Sequence, residues 1–263
     1  MDCLLSELDP RGVLTLTLNR PEVHNAFDDG LVAELTKVLA AAGQDAAVRI
    51  VVLTGTGPSF SAGADMRWMR RMVDADEAEN ERDALRMAGM LRTLNYLDRP
   101  TIARINGSAY GGGLGLLACC DITIAADHAQ FGLSEARLGL APAVISSYVF
   151  RRIGEHHARR YYQTGECFDA ARARELDLVQ DVVAADDLDE AVSESVNHLL
   201  SSGPQALLTC KRLAFAIAGH DEEKQLRLDE YTAKLIARLR VSAEGQEGLN
   251  AFLEKRPPGW TAP

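Results

Sequence analysis

Two glycine-bearing stretches hold the residues best suited to chemistry. "AYGGGLGLLACCD" (109 to 121) places glycines at 111, 112, 113 and 115 against an apolar run. Glycine is a poor helix former, so such a cluster at a helix start implies a close approach between backbone and something else. "SFSAGADMRWM" (59 to 69) repeats the design, with small residues and a glycine ahead of a helical stretch. Peptide N–H groups at a helix N-terminus stabilise a developing oxyanion through hydrogen bonds and the helix dipole. Two such junctions could converge on one carbonyl oxygen. A tightly packed turn is the plainer reading of either loop taken alone.

Competing chemistries fit less well. Gly113, Gly115 and Ala118 match G-x-G-x-x-A, but "NGSAYG" separates them from the preceding strand and Asp127 comes too early for a ribose-binding acid. The sequence contains neither G-K-[ST] nor G-x-S-x-G, which argues against a Walker loop and a common serine-hydrolase arrangement. Its six histidines form no H-E-x-x-H, and its five cysteines show no C-x-x-C spacing, so no metal is expected. These thiols are expected to be reduced and mostly buried. A net charge of −10 argues against nucleic acid or an anionic membrane as partner. "MDCLLSELDPRG" resembles neither a signal nor a transit peptide and no run of about 18 apolar residues occurs, so a cytoplasmic location is expected.

The elements that must position these loops follow from periodicity. "CLLSELD" and "VLTLTLN" alternate like paired strands, and "VRIVVLTG" (48 to 55) is a continuous apolar strand of the kind buried on both faces. Asp28 or Asp29 can cap a helix over "LVAELTKVLAAAG", with Gly43 closing it. A long helix is expected from Glu77 to Leu97, then strand "PTIARI", the glycine cluster with a short helix, and strand "DITIAAD". Strands alternating with helices predict an α/β fold. From Asp186 to Leu253 the pattern is helical throughout, which suggests an appendage used in assembly.

In order and spacing, "LNRPEVHNAF", "FSAGADM", "ARINGSAYGGGLGLLACCDITIAAD", "QFGLSEARLGLAP" and "ARELDLVQDVV" resemble the enoyl-CoA hydratase/isomerase (crotonase) superfamily over nearly the whole chain. The resemblance implies a spiral of ββα units over 1–199 holding an acyl-CoA site. It also implies a C-terminal helical trimerisation region over 200–263, assembled as a homotrimer or dimer of trimers. The thioester oxygen would lie between the N–H groups of Ala64 and Gly112, with Glu135 as acid/base. Val23, Ala26, Ala62, Asp65, Met66, Arg67, Gly111, Gly115 and Ser146 would surround the substrate. Coenzyme A is part of that substrate, and no metal or redox cofactor is needed.

Family hydratases commonly use two glutamates, whereas here the first position is Gly115. Two carboxylates divide the work of activating water and protonating carbon; one must do both. Single-glutamate members include double-bond isomerases. "GGGLGLLACCDI", "LSEARLGLAPAVISSYV" and "ADMRWMRRM" are similar to the bacterial 3-methylglutaconyl-CoA hydratases of leucine degradation and their isohexenylglutaconyl-CoA relatives. Substrates of that branch carry an extra carboxylate, which draws attention to Arg67, Arg70 and Arg71 on their helix and to Arg20, although a solvated face is the ordinary reading of such a run. Met66, Met69 and Met72 suit core packing or an acyl wall. The Ser146 and Ser147 hydroxyls could position water or cap a helix. The expected activity is hydration of a branched, carboxylated enoyl-CoA. A Δ3,Δ2-enoyl-CoA isomerase and a catalytically silent CoA-thioester-binding protein are the alternatives.

Overall fold

The run "VRIVVLTG" forms a strand at Ile50–Gly55 whose side chains are buried on both faces. Side chains alternate along a strand. Val51 and Leu53 join the main core, whereas Ile50 and Val52 pack with Ile102, Ile124 and Leu188 in a second apolar layer on the opposite face. The computed structural model describes residues 2–261.

That strand is third in a six-stranded sheet ordered β1 (Leu4–Leu8), β2 (Val13–Leu18), β3 (Ile50–Gly55), β5 (Thr101–Ile105), β7 (Ile122–Ala126) and β10 (Asp181–Val183). Among the described residues of this sheet β1 and β2 pair antiparallel and the other neighbours parallel. A smaller sheet is ordered β4 (Ser59–Ser61), β6 (Ser108–Tyr110), β8 (Gln130–Gly132) and β9 (Cys167–Asp169). The sequence reading misses these strands, because three residues give too little alternation to read.

The two sheets are wound together. After β3, β5 and β7 the chain enters β4, β6 and β8 respectively, and each of these leads into helix. The first passes to α2 (Met66–Asp74) and α3 (Glu77–Asn95), and the second to α4 (Gly112–Cys119). The third passes through a 3-10 turn at Glu135–Leu138 to α5 (Ala143–Thr164), which is interrupted at Gly154. Parallel pairing of β4 with β6 and of β6 with β8 sets the segments that follow them side by side. This brings 62–65, 111–112 and 133–135 together.

Helix ends follow local capping chemistry. In α1 (Asp29–Gln44) the Asp28 carboxylate accepts from Leu31 N–H at 2.9 Å. Gly43 does not end this helix as expected; it lies inside the last turn, and Asp45 terminates it in an extended conformation. Likewise α3 stops at Asn95 rather than Leu97. Beyond α6 (Ala170–Glu175), the helical reading of the C-terminal part holds through α7 (Leu188–Leu200), α8 (Pro204–Ile217), α9 (Glu222–Val241) and α10 (Ala243–Leu253). Two of these return to the core, α9 against α3 and α5 and α10 against α2. Lys211 pins α8 by donating to Asp121 at 2.9 Å.

All five cysteines are free, but Cys167 and Cys210 are exposed, contrary to the expectation of mostly buried thiols. Cys167 lies on the three-residue β9, and Cys210 on α8, which has no buried residue. Among the described residues no helix is long and apolar enough to cross a membrane.

Candidate active site

The first glycine loop is held from beneath by buried Asn25. Its side chain accepts from Arg20 N–H at 2.9 Å and donates to Thr56 O at 2.9 Å and Ser59 O at 2.8 Å. His24 and Asn25 both have positive φ (52° and 55°), a conformation that asparagine tolerates better than most residues. The turn places Phe27 beside Ala64: Phe27 N–H donates to Gly63 O at 2.6 Å, and Asp65 N–H to Phe27 O at 2.8 Å. This bridge uses the N–H groups of Phe27 and Asp65 and leaves that of Ala64 outside the pairing.

Gly111 begins the second loop with φ 47° and ψ −116° and donates to Gly132 O at 3.0 Å. Gly112 opens α4, where a helix's first N–H groups have no intrahelical acceptor. The loops touch, since a Cβ on Gly63 (φ 86°) would lie 3.4 Å from Gly112 N and 2.9 Å from Tyr110 O. Only a residue without a side chain fits there.

Glu135 completes the arrangement from the third turn of the winding. A Cβ on Gly111 would lie 3.1 Å from its Oε1, so glycine is what admits the carboxylate. Its Oε2 is buried without a hydrogen-bond partner. Burial pushes the Glu135 pKa up to about 7, against a smaller lowering by a backbone hydrogen bond. An unpaired carboxyl balanced near neutrality can both take and return a proton.

Ala62, Ala64, Gly111, Gly112 and Glu135 line one cavity of about 200 Å³. Its walls are apolar and include Trp68, Met69 and Met72 from α2, Met87 from α3, and Leu249 and Phe252 from α10. A larger cleft of about 510 Å³ opens beside Asp121 and Lys211 and is lined by none of the loop glycines and not by Glu135. Among the described residues no group of three His, Cys, Asp or Glu side chains could hold a metal ion.

Several residues expected around the substrate do not line this cavity. Val23 ends a 3-10 turn, and Ala26 is buried with its carbonyl accepting from Arg20 at 2.7 Å. Asp65 is buried and caps α2, accepting from Arg67 N–H at 2.7 Å and pairing with Arg20 at 2.8 Å. Burial works against its charge, but the hydrogen bonds from Arg67 N–H and Arg20 outweigh it and hold the acid below its usual pKa. Met66 and Arg67 face solvent because Trp68, Met69 and Met72 form the inward face of α2. Ser146 donates to Ala143 O at 2.6 Å within α5. Gly115 is buried against Ile145 rather than open to the cavity. Arg71 pairs with Asp29 at 2.5 Å.

The sequence reading misses other residues of the wall, notably Phe27, Met87, Ile145 and Arg240. They lie on separate elements, and no local spacing connects them.

The family model described as enoyl-CoA hydratase/isomerase matches residues 9–263. The chain belongs to the enoyl-CoA hydratase/isomerase family. An enoyl-CoA hydratase structure from Shewanella pealeana is 43% identical, with a TM-score of 0.80 over 98% of this chain and 96% of its own. Another from Mycobacterium avium is 39% identical, with a TM-score of 0.86 over 99% and 100%. The 2,3-dehydroadipyl-CoA hydratase of Escherichia coli is 33% identical over 254 residues, covering 94% of each chain. Enoyl-CoA hydratases are hydro-lyases, and hydration of an enoyl-CoA is the activity established at the family level.

Proposed function

We propose that this protein hydrates a branched, carboxylated enoyl-CoA of the 3-methylglutaconyl type, such as arises in leucine or acyclic-terpenoid catabolism. The single observation that carries the reading is the buried, unpartnered Glu135 carboxyl facing the two glycine loops in one cavity. The thioester oxygen accepts hydrogen bonds from Ala64 N–H and Gly112 N–H, which stabilise the enolate as charge develops on it. Glu135 takes a proton from water as the oxygen bonds to the β-carbon. The same carboxyl then delivers a proton to the α-carbon, so water is added without net change at Glu135. A relative named for 2,3-dehydroadipyl-CoA supports an acyl chain that ends in a carboxylate.

One observation favours a second reading. Gly115 supplies no second carboxylate, and Δ3,Δ2-enoyl-CoA isomerisation needs only one base. The silent-protein alternative receives no such support, because a scaffold that only bound the thioester would gain nothing from an unpaired buried carboxyl. Assaying 3-methylglutaconyl-, isohexenylglutaconyl-, crotonyl- and 3-enoyl-CoA for hydration and double-bond migration separates the readings. Hydration of 3-methylglutaconyl-CoA is expected; double-bond migration alone would contradict it.

We also propose that the chain assembles as a homotrimer or dimer of trimers through 200–263, in the cytoplasm. The exposed apolar side chains Leu213, Ile217, Leu226, Leu228 and Tyr231 on α8 and α9 support the assembly. Ile217→Asp combined with Leu213→Asp should shift the sedimentation profile to smaller species; an unchanged profile would place the interface elsewhere.

A further inference from the structure

Arg240, near the end of α9, lines the same cavity as Glu135. Among the described residues its side chain makes only long hydrogen bonds, from Nη1 to Asn80 O at 3.5 Å and Asn80 Oδ1 at 3.4 Å. Among the described residues no carboxylate lies within the 4.0 Å of an ion pair with it. The neighbouring wall is apolar, with Ile236, Leu249, Met72 and Phe252. Burial lowers the pKa of this guanidinium to about 10, so its charge is poorly compensated there.

A half-buried cation in an apolar wall with no carboxylate partner is costly, and structures normally keep one only where an anion meets it. Glu135 is not that anion. The two line one cavity without forming an ion pair, and the titration of neither reflects the other, since burial is the leading influence on both. Cation and carboxyl therefore line one cavity without pairing.

We infer that Arg240 is the specificity-determining residue for the acyl chain, binding a carboxylate at its far end while Glu135 works at the double bond. The inference deepens the proposed function and rests on its placement of the acyl group in this cavity. A guanidinium fork matches a carboxylate with two parallel hydrogen bonds. The phosphates of coenzyme A are the other source of anionic oxygen. The apolar walls favour the acyl carboxylate, and the exposed Arg67 and Arg70 remain outside the cavity for solvent-side charge.

The test is equilibrium binding of two saturated thioesters that cannot be hydrated, glutaryl-CoA and butyryl-CoA, to the full-length wild type, Arg240→Met and Arg240→Lys. Hydrogen bonds to charged groups are worth enough that Arg240→Met should weaken glutaryl-CoA by roughly 10- to 150-fold. Butyryl-CoA binding should stay within about twofold, which also reports that the variant is folded. Arg240→Lys keeps the charge and should retain part of the preference, which covers the case in which Arg240→Met does not fold. Equal weakening of both thioesters would assign Arg240 to the coenzyme A phosphates, and a preference unchanged in both variants would make it structural; either result overturns the inference. Hydration of 3-methylglutaconyl- and 3-methylcrotonyl-CoA by wild type is measured alongside. If neither is hydrated while the glutaryl preference collapses in Arg240→Met, the carboxylate site stands and the hydratase reading fails.

Discussion

The Cγ2 methyl of Ile145 fills the space into which a side chain on Gly115 would project, and Ile145 Cβ stands 3.1 Å from that Cβ position. Leu91 Cδ1 closes the other side at 3.5 Å. The missing first glutamate is therefore a filled volume as well as an absent carboxylate. Gly115→Glu should not create a two-carboxylate hydratase. Overpacking a close-packed core by even a few atoms costs about 1 to 3 kcal/mol. Gly115→Ala should lose about that much in chemical denaturation, and Gly115→Glu more, unless Ile145→Ala makes room. A stable Gly115→Glu protein with faster hydration would show that the space is not occupied.

Glu135 links activity and stability in opposite directions. Its folded pKa of about 7 lies above its unfolded value, so between those values the folded state binds more protons than the unfolded state. Stability attributable to this group is greatest at low pH and falls as pH rises through about 7, after which it is constant. Glu135→Gln removes the charge, so it should be more stable than wild type at pH 8, by up to about 3 kcal/mol. The advantage should vanish below the ordinary carboxylate range, where both states are protonated. Denaturant titrations at pH 8 and pH 4 provide the check, and an advantage equal at both would contradict it. In the proposed mechanism the base form does the chemistry, so wild-type kcat/KM should rise with pH and level off above about 7.

Gly112 is close to Met87 Cε at 3.0 Å and Phe27 Cδ2 at 3.1 Å from the position of an added Cβ. Gly112→Val would push a branched side chain against the cavity wall beside the proposed thioester oxygen. Loss of one oxyanion donor costs on the order of 100- to 1000-fold in rate. A fall of that size in kcat is expected in a protein that remains folded by circular dichroism. An unchanged kcat would remove Gly112 from the site.

What was legible in the sequence depended on how local the signal was. The both-faces burial of β3, the Asp28 cap and the helical character of the C-terminal part follow from periodicity or from one capping residue, and each is in place. So is the approach of the two glycine loops, because both are strand-to-helix junctions of one repeated winding. The small sheet is not legible, because strands such as β6 draw their order from neighbours far along the chain. Asp65 looks like a binding residue from its place in the loop; only the folded structure shows its carboxylate committed to α2 and Arg20. Arg240 is invisible for the converse reason. In "LIARLR" it reads as one more cation at a helix end, and its place in the cavity wall depends on the packing of α9 and α10.

The central claim is that one carboxyl, Glu135, both activates water and returns a proton to the α-carbon. The most direct measurement is turnover of 3-methylglutaconyl-CoA in D2O by wild type and Glu135→Gln, following oxygen at the β-carbon and deuterium at the α-carbon by mass spectrometry. Wild type should add both together, and Glu135→Gln should lose both together, toward the upper end of the roughly 100- to 10,000-fold expected of a positioned acid/base. Hydration by Glu135→Gln near the wild-type rate, or double-bond migration without added oxygen in wild type, would contradict the account.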